Sequence, residues 1–164
     1  MRRRTWLAGT LAVALAGCGF ALRQAPDFSF SSIYLAMPES SPLALELRRQ
    51  LEATGRMRVI VEPEKQDEAE VILRSAGEER EQVVVSMTSA GQVREFQQRL
   101  RLNFSASTRD GRELITPTEI ERHMDQSYSE SAALSKEQET ALLYRSMQSD
   151  IVQQVMQRLA RIER

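Results

Sequence analysis

The chain has 164 residues, with 22 basic and 23 acidic side chains, one histidine and one cysteine. That near-neutral balance gives no basic footprint for nucleic acid, and one cysteine beside one histidine supplies neither a disulfide framework nor the usual ligands of a zinc site. The length suits one domain with a sizeable core rather than two.

The N-terminus reads first as an export signal. Arg2-Arg3-Arg4 leads into an apolar run from Trp6 to Ala16, closed by small residues and Cys18, the basic-apolar-small layout of a secretory leader. The run is about 11 residues, short of the roughly 20 that span a bilayer as a helix. Leu15-Ala16-Gly17-Cys18 closely resembles the lipobox of bacterial lipoproteins, which implies cleavage before Cys18 and a covalent lipid on its thiol. Several acyl chains on one residue anchor firmly, because each buried methylene contributes about 0.8 kcal/mol. By the sorting pattern of such proteins, Gly19 rather than Asp beside the cysteine implies the outer membrane. Removing residues 1–17 takes away Arg2, Arg3 and Arg4 and no acid, which moves the formal charge from −1 to −4.

Residues 18–30 then read as a lipidated N-terminus and polar tether, and 31–164 as a single domain. Ser31 to Ala36, with Ile33-Tyr34-Leu35 at its centre, predicts a short first strand. Ser41-Pro42 predicts an N-cap followed by proline at the first helical position, and Leu43, Leu47 and Leu51 give the apolar stripe of a helix over about 42–54, stopped by Gly55. Arg56 to Val61 predicts a second strand, and Pro63 with the charged residues to Glu68 a surface loop. Val71-Ile72-Leu73 and Val83-Val84-Val85-Ser86-Met87 predict extended chain on either side of a charged patch at Glu78 to Glu81. After a turn at Ser89-Ala90-Gly91-Gln92, Leu100, Leu102, Phe104 and Ala106 alternate with Arg101, Asn103 and Ser105, a strand with one dry and one wet face.

Asp110-Gly111 marks another turn. Ile120, Arg122, Met124, Gln126 and Tyr128 share one parity, and Pro117 assigns the segment's first half to an edge or bulge. Ser135 with Gln138 has the spacing of a capping box, and Leu143, Met147, Ile151, Val155, Leu159 and Ile162 predict a helix over about 136–162. Each element has one apolar face to bury, so the expected fold is α+β: two α-helices packed on one face of a four-stranded, mostly antiparallel β-sheet.

No catalytic constellation can be assembled. His123 has no sequence partner, and no phosphate-cradling loop, Gly-x-Ser-x-Gly or His-Glu-x-x-His motif is present. The chain reads as a non-enzyme needing no metal and no cofactor beyond the covalent lipid on Cys18. Arg80, Arg94, Arg99, Arg101, Arg122 and Lys136 read either as solvated charge or as phosphate recognition.

Several short motifs lie in an order that resembles the LptE family of lipopolysaccharide-assembly lipoproteins. They are Ala16-Gly17-Cys18-Gly19-Phe20-Ala21-Leu22-Arg23, the Gly91-Gln92 turn, the polar strand ending at Tyr128, and Ala133-Leu134-Ser135-Lys136-Glu137. The resemblance implies two helices on a four-stranded sheet and an outer-membrane lipoprotein facing the periplasm from inside the lumen of the LptD β-barrel. There it would form a one-to-one complex, help the barrel assemble and bind lipopolysaccharide. It also implies a lipopolysaccharide-binding lysine at Lys136. The family's other basic position falls on Ser89 here, with Arg94, two residues past the turn, as a substitute. The alternative reading is a free-standing, periplasm-facing lipoprotein with a structural or small-ligand-binding role.

Overall fold

The computed structural model describes residues 26–129 and 133–163. Cys18, the signal segment and the first part of the expected tether lie outside the described residues. The tether's last residues do not behave as a free linker: Phe28 stacks on Phe30 with ring centroids 5.5 Å apart, Phe30 is buried, and the Ser29 hydroxyl donates to the Ile162 carbonyl at 2.7 Å.

Strand β1 (Ser32–Ala36) is followed by helix α1 (Pro42–Ala53) and strand β2 (Arg58–Ile60). Helix α1 forms as its caps predict. The Ser41 side chain accepts from the Ala44 N–H at 3.2 Å, Pro42 opens the first turn, and Gly55 takes the left-handed φ of +70° that ends the helix. A 3₁₀ helix (Pro63–Glu68) precedes the long strands β3 (Val71–Met87), β4 (Val93–Thr108) and β5 (Glu113–Ser127), and helix α2 (Ala133–Leu159) closes the chain.

The sheet has five strands in the order β2-β1-β3-β4-β5, which corrects the expected four. It is also mixed. β1 pairs in parallel with both β2 and β3, while β3, β4 and β5 form an antiparallel meander. The reason is the strand-helix-strand start: a helical crossover returns the chain in the direction it left, so β2 must lie parallel to β1. β2 forms inside the segment Arg56 to Val61 that reads as a strand, shortened to three residues, so the difference lies in how many strands join one sheet. The expectation of both helices on one face of the sheet holds, since Leu43, Leu47 and Leu51 of α1 and Met147, Ile151, Val155 and Leu159 of α2 share one buried cluster with Ile33, Leu35, Leu73, Leu100, Leu102 and Phe104.

The charged patch at Glu78 to Glu81 does not interrupt β3. Alternation sends Glu78 and Arg80 to the helix side and Glu79 and Glu81 to the open side. There they find partners. Glu78 accepts from the Leu43 N–H at the start of α1 and pairs with Arg80, while Glu79 and Glu81 pair with Arg101. Pro117 sits in the outermost strand, where the β4–β5 register shifts between Phe104 and Ala106, the edge-and-bulge placement expected of it. Helix α2 starts at Ala133, so Ser135 lies inside its first turn and is not the cap that its spacing with Gln138 suggested.

Candidate functional site

The lower part of the domain, next to the chain's first described residues, has an ordinary dry core. The upper part is built differently. From Leu134 to Arg145 helix α2 buries no apolar side chain, and its first buried residue is Met147. Beneath it lie Gln98 and Gln126, only 1% and 2% exposed. Gln98 Nε2 donates to Gln126 Oε1 at 2.9 Å, and Gln126 Nε2 donates to the Lys136 carbonyl at 2.9 Å. The Thr140 hydroxyl stands 2.9 Å from Gln126 Oε1, and the Tyr144 hydroxyl 3.2 Å from both Gln98 Oε1 and the Glu81 carbonyl. Arg80 lies over the Tyr144 ring, 5.0 Å from its centroid. Burial raises the Tyr144 pKa above its ordinary value, the adjacent Arg80 charge partly opposing this. Among the described residues no buried side-chain nitrogen or oxygen lacks a partner.

Lys136 and Arg94 flank the end of β5. Lys136 Nζ lies 2.7 Å from Glu139 Oε2 and 3.1 Å from Ser127 Oγ, and its side chain is only 18% exposed. The next residue, Tyr128, donates its N–H to the Arg94 carbonyl at 2.8 Å. Arg94 itself is exposed, and its side chain makes no ion pair among the described residues. Tyr128 also packs edge-on against Phe96 at 5.1 Å. The β3–β4 turn closes beside them through the Thr88 N–H to the Gln92 carbonyl at 2.8 Å, with Gly91 at φ +79°. Ser89, at the resemblance's other basic position, falls in this turn.

Sequence reasoning singled out the cations of this end and read Val83 to Met87 as extended chain, with Met87 a core filler rather than part of a lipid slot; the structure leaves Met87 57% exposed. Val84, Val85 and Met87 of β3 and Leu134 and Leu142 of α2 are exposed, and Leu45 is the one large exposed hydrophobic elsewhere among the described residues. The signal was present in the run Gln82-Val83-Val84-Val85-Ser86-Met87, six residues without charge.

The other arginines singled out in the sequence, Arg80, Arg99, Arg101 and Arg122, are engaged. On the open face Arg101 bonds Glu121 at 2.6 Å and Glu81 at 2.9 Å, Arg99 lies 3.8 Å from Glu81, and Gln97 donates to Asp125 at 2.9 Å. The hydrogen bond from Arg101 holds the Glu121 carboxyl below the usual range, and the same bond raises the Arg101 pKa. Arg122 pairs with Asp150 of α2 at 2.9 Å, and His123 is exposed, 4.0 Å from Glu121. Among the described residues no group of His, Cys, Asp and Glu converges on a cation position, and no helix is long and apolar enough to cross a membrane.

The profile of the Lipopolysaccharide-assembly family, LptE, matches residues 30–159. Among solved structures, the uncharacterized lipoprotein B of Nitrosomonas europaea is 29% identical at a TM-score of 0.69, over 84% of this chain and 88% of that one. The rare lipoprotein B of Shewanella oneidensis is 22% identical at 0.65, over 79% of this chain and 93% of that one. A minor lipoprotein of Acinetobacter baumannii is 18% identical at 0.64, over 82% and 93%, and these last two speak for the fold alone. No curated protein gives a significant match.

Proposed function

Because this chain belongs to the LptE lipopolysaccharide-assembly family, we propose that it is an outer-membrane lipoprotein that plugs and helps assemble the LptD β-barrel and handles lipopolysaccharide at the hairpin end of its sheet. In this reading the Cys18 lipid anchors the lower end, and the upper end meets the ligand. The observation that carries the ligand assignment is the joining, at one end of the molecule, of Arg94 and Lys136 with the exposed side chains of Val84, Val85, Met87 and Leu134. A phosphorylated, acylated sugar presents the same combination. Arginine matches phosphate oxygens bidentately and lysine supplies a point charge, while acyl chains take apolar surface.

The open face of the sheet supports the plug. A barrel lumen is lined with polar side chains, and a domain that fills one needs a polar exterior with its charges already paired. The ladder of Arg99, Arg101, Glu79, Glu81 and Glu121 supplies that. Coexpression tests the partner: the wild-type chain is expected to copurify with the barrel in a one-to-one complex, and a chain that never does so is the free-standing lipoprotein instead. Binding of purified lipopolysaccharide tests the site. Arg94→Glu with Lys136→Asp is expected to weaken it severalfold with the circular dichroism spectrum unchanged, and unaltered binding removes the two cations from the site.

A further inference from the structure

We propose that the upper edge of β3, Gln82 to Met87, is a self-association surface through which two copies of this chain pair antiparallel about Val84. The inference concerns the chain outside the barrel, where Val84, Val85 and Met87 meet a second copy in place of the ligand, and it rests on how the sheet's edges are treated.

An exposed strand edge offers unpaired N–H and C=O groups to any other strand, and proteins blunt such edges with shortness, charge, proline, bulges or covers. Every other edge here carries such a device. β2 has three residues. β5 carries Pro117, a register shift, and Glu119, Glu121, His123 and Asp125. β3 itself is covered by β1 from Val71 to Arg74. Past that point the Pro38 ring lies against Gly77, close enough that a Cβ there would sit 3.6 Å from Pro38 Cγ, and the Tyr144 hydroxyl stands against the Glu81 carbonyl.

After Glu81 the protection stops. Gln82 to Met87 is uncharged, rich in β-branched side chains and free of proline and glycine, the composition that favours strand-on-strand pairing. Among the described residues no strand lies beside it on the side away from β4. Val84, Val85 and Met87 are 39%, 45% and 57% exposed.

The charge pattern selects a second copy, and one direction for it. With Val84 on the two-fold axis, Val83 faces Val85, Gln82 faces Ser86, Glu81 faces Met87, Arg80 faces Thr88 and Glu79 faces Ser89. No like charges meet. A parallel, in-register pairing would set Glu79 on Glu79 and Glu81 on Glu81, which is destabilising. The free length also fits. The Pro38 loop beside Gly77 would meet the partner's turn at Gly91, and with the Glu81 carbonyl held by Tyr144 the ladder runs over about five residues, an ordinary strand length.

The test uses the full chain carrying Cys18→Ser, which removes the expected acylation site and the only native thiol. Sedimentation equilibrium is expected to show a monomer–dimer equilibrium across the micromolar range. Val84→Lys, which faces two lysines across the axis, is expected to abolish the dimer with the far-ultraviolet spectrum retained. On the same background Val84→Cys is expected to form a disulfide-linked dimer on oxidation, while Met87→Cys, facing Glu81, is not. A chain that stays monomeric throughout, a dimer indifferent to Val84→Lys, or crosslinking that favours Met87→Cys would each overturn the proposal.

Discussion

Tyr144 shows how single side chains hold the upper half together. Its ring lies under Arg80 and its hydroxyl reaches two acceptors on different strands, one of them the fully buried Gln98. Tyr144→Phe keeps the ring and strands Gln98 Oε1 without that donor, so a loss of about 1–2 kcal/mol is expected in urea unfolding. Glu121 gives a pH signature. Its carboxyl binds a proton less readily in the folded chain than in the unfolded one, so its stabilisation is fully present above the ordinary carboxylate range and is lost as pH falls through the lowered value. The thermal midpoint is therefore expected to drop on acidification, and Glu121→Gln to flatten that part of the profile. At this scale the sequence was informative about residue types more than about partners. Arg101 and Glu121 lie twenty positions apart in different strands, and only the β4–β5 register, Arg101 against Glu121, explains why both are charged.

At the level of elements, α2 is one helix with two undersides. Its C-terminal half buries Met147, Ile151, Val152, Val155, Met156 and Leu159, and its N-terminal half rests on amides and hydroxyls that water can also satisfy. Opening the first half exposes little apolar surface, so amides of residues 137–146 are expected to exchange faster with deuterium than those of 148–159. Ile151→Ala is expected to cost about 2–5 kcal/mol through the cavity it leaves, whereas Leu142→Ala should stay within about 0.5 kcal/mol. The 3.6-residue stripe made the second half legible in advance. The first half lacked such a stripe, so its start was placed from a capping pattern, three residues too late. The strands were readable where one face is apolar, as in Leu100 to Ala106. The continuity of β3 was not, because its charged middle is compensated by an arginine and a helix terminus that periodicity does not reveal.

For the described residues as a whole, polarity is arranged by height: a dry core below, and a hydrogen-bonded interior with a few exposed apolar side chains above. The α+β class and the two helices on one face followed from counting apolar faces, while the number of strands joined in one sheet and the parallel pairs depended on a crossover that periodicity within a segment does not announce. Cys18→Ala is expected to release the chain from carbonate-washed membranes with its fold intact; an undiminished membrane fraction would leave the attachment to something other than the acylated thiol. The placement of Arg94 and Lys136 on either side of the end of β5 came from the β4–β5 pairing and the return of α2 over it, neither of which spacing alone could supply.

β1 follows directly on the chain's first described residues and lies between β2 and β3, parallel to both. A pull transmitted along the backbone from that side loads two ladders in shear at once, so their bonds must fail together and cannot peel one by one. Drawn through its own N-terminus, as in an optical-trap experiment, this domain should yield at higher force than when it is drawn from the end of β5, the outermost strand.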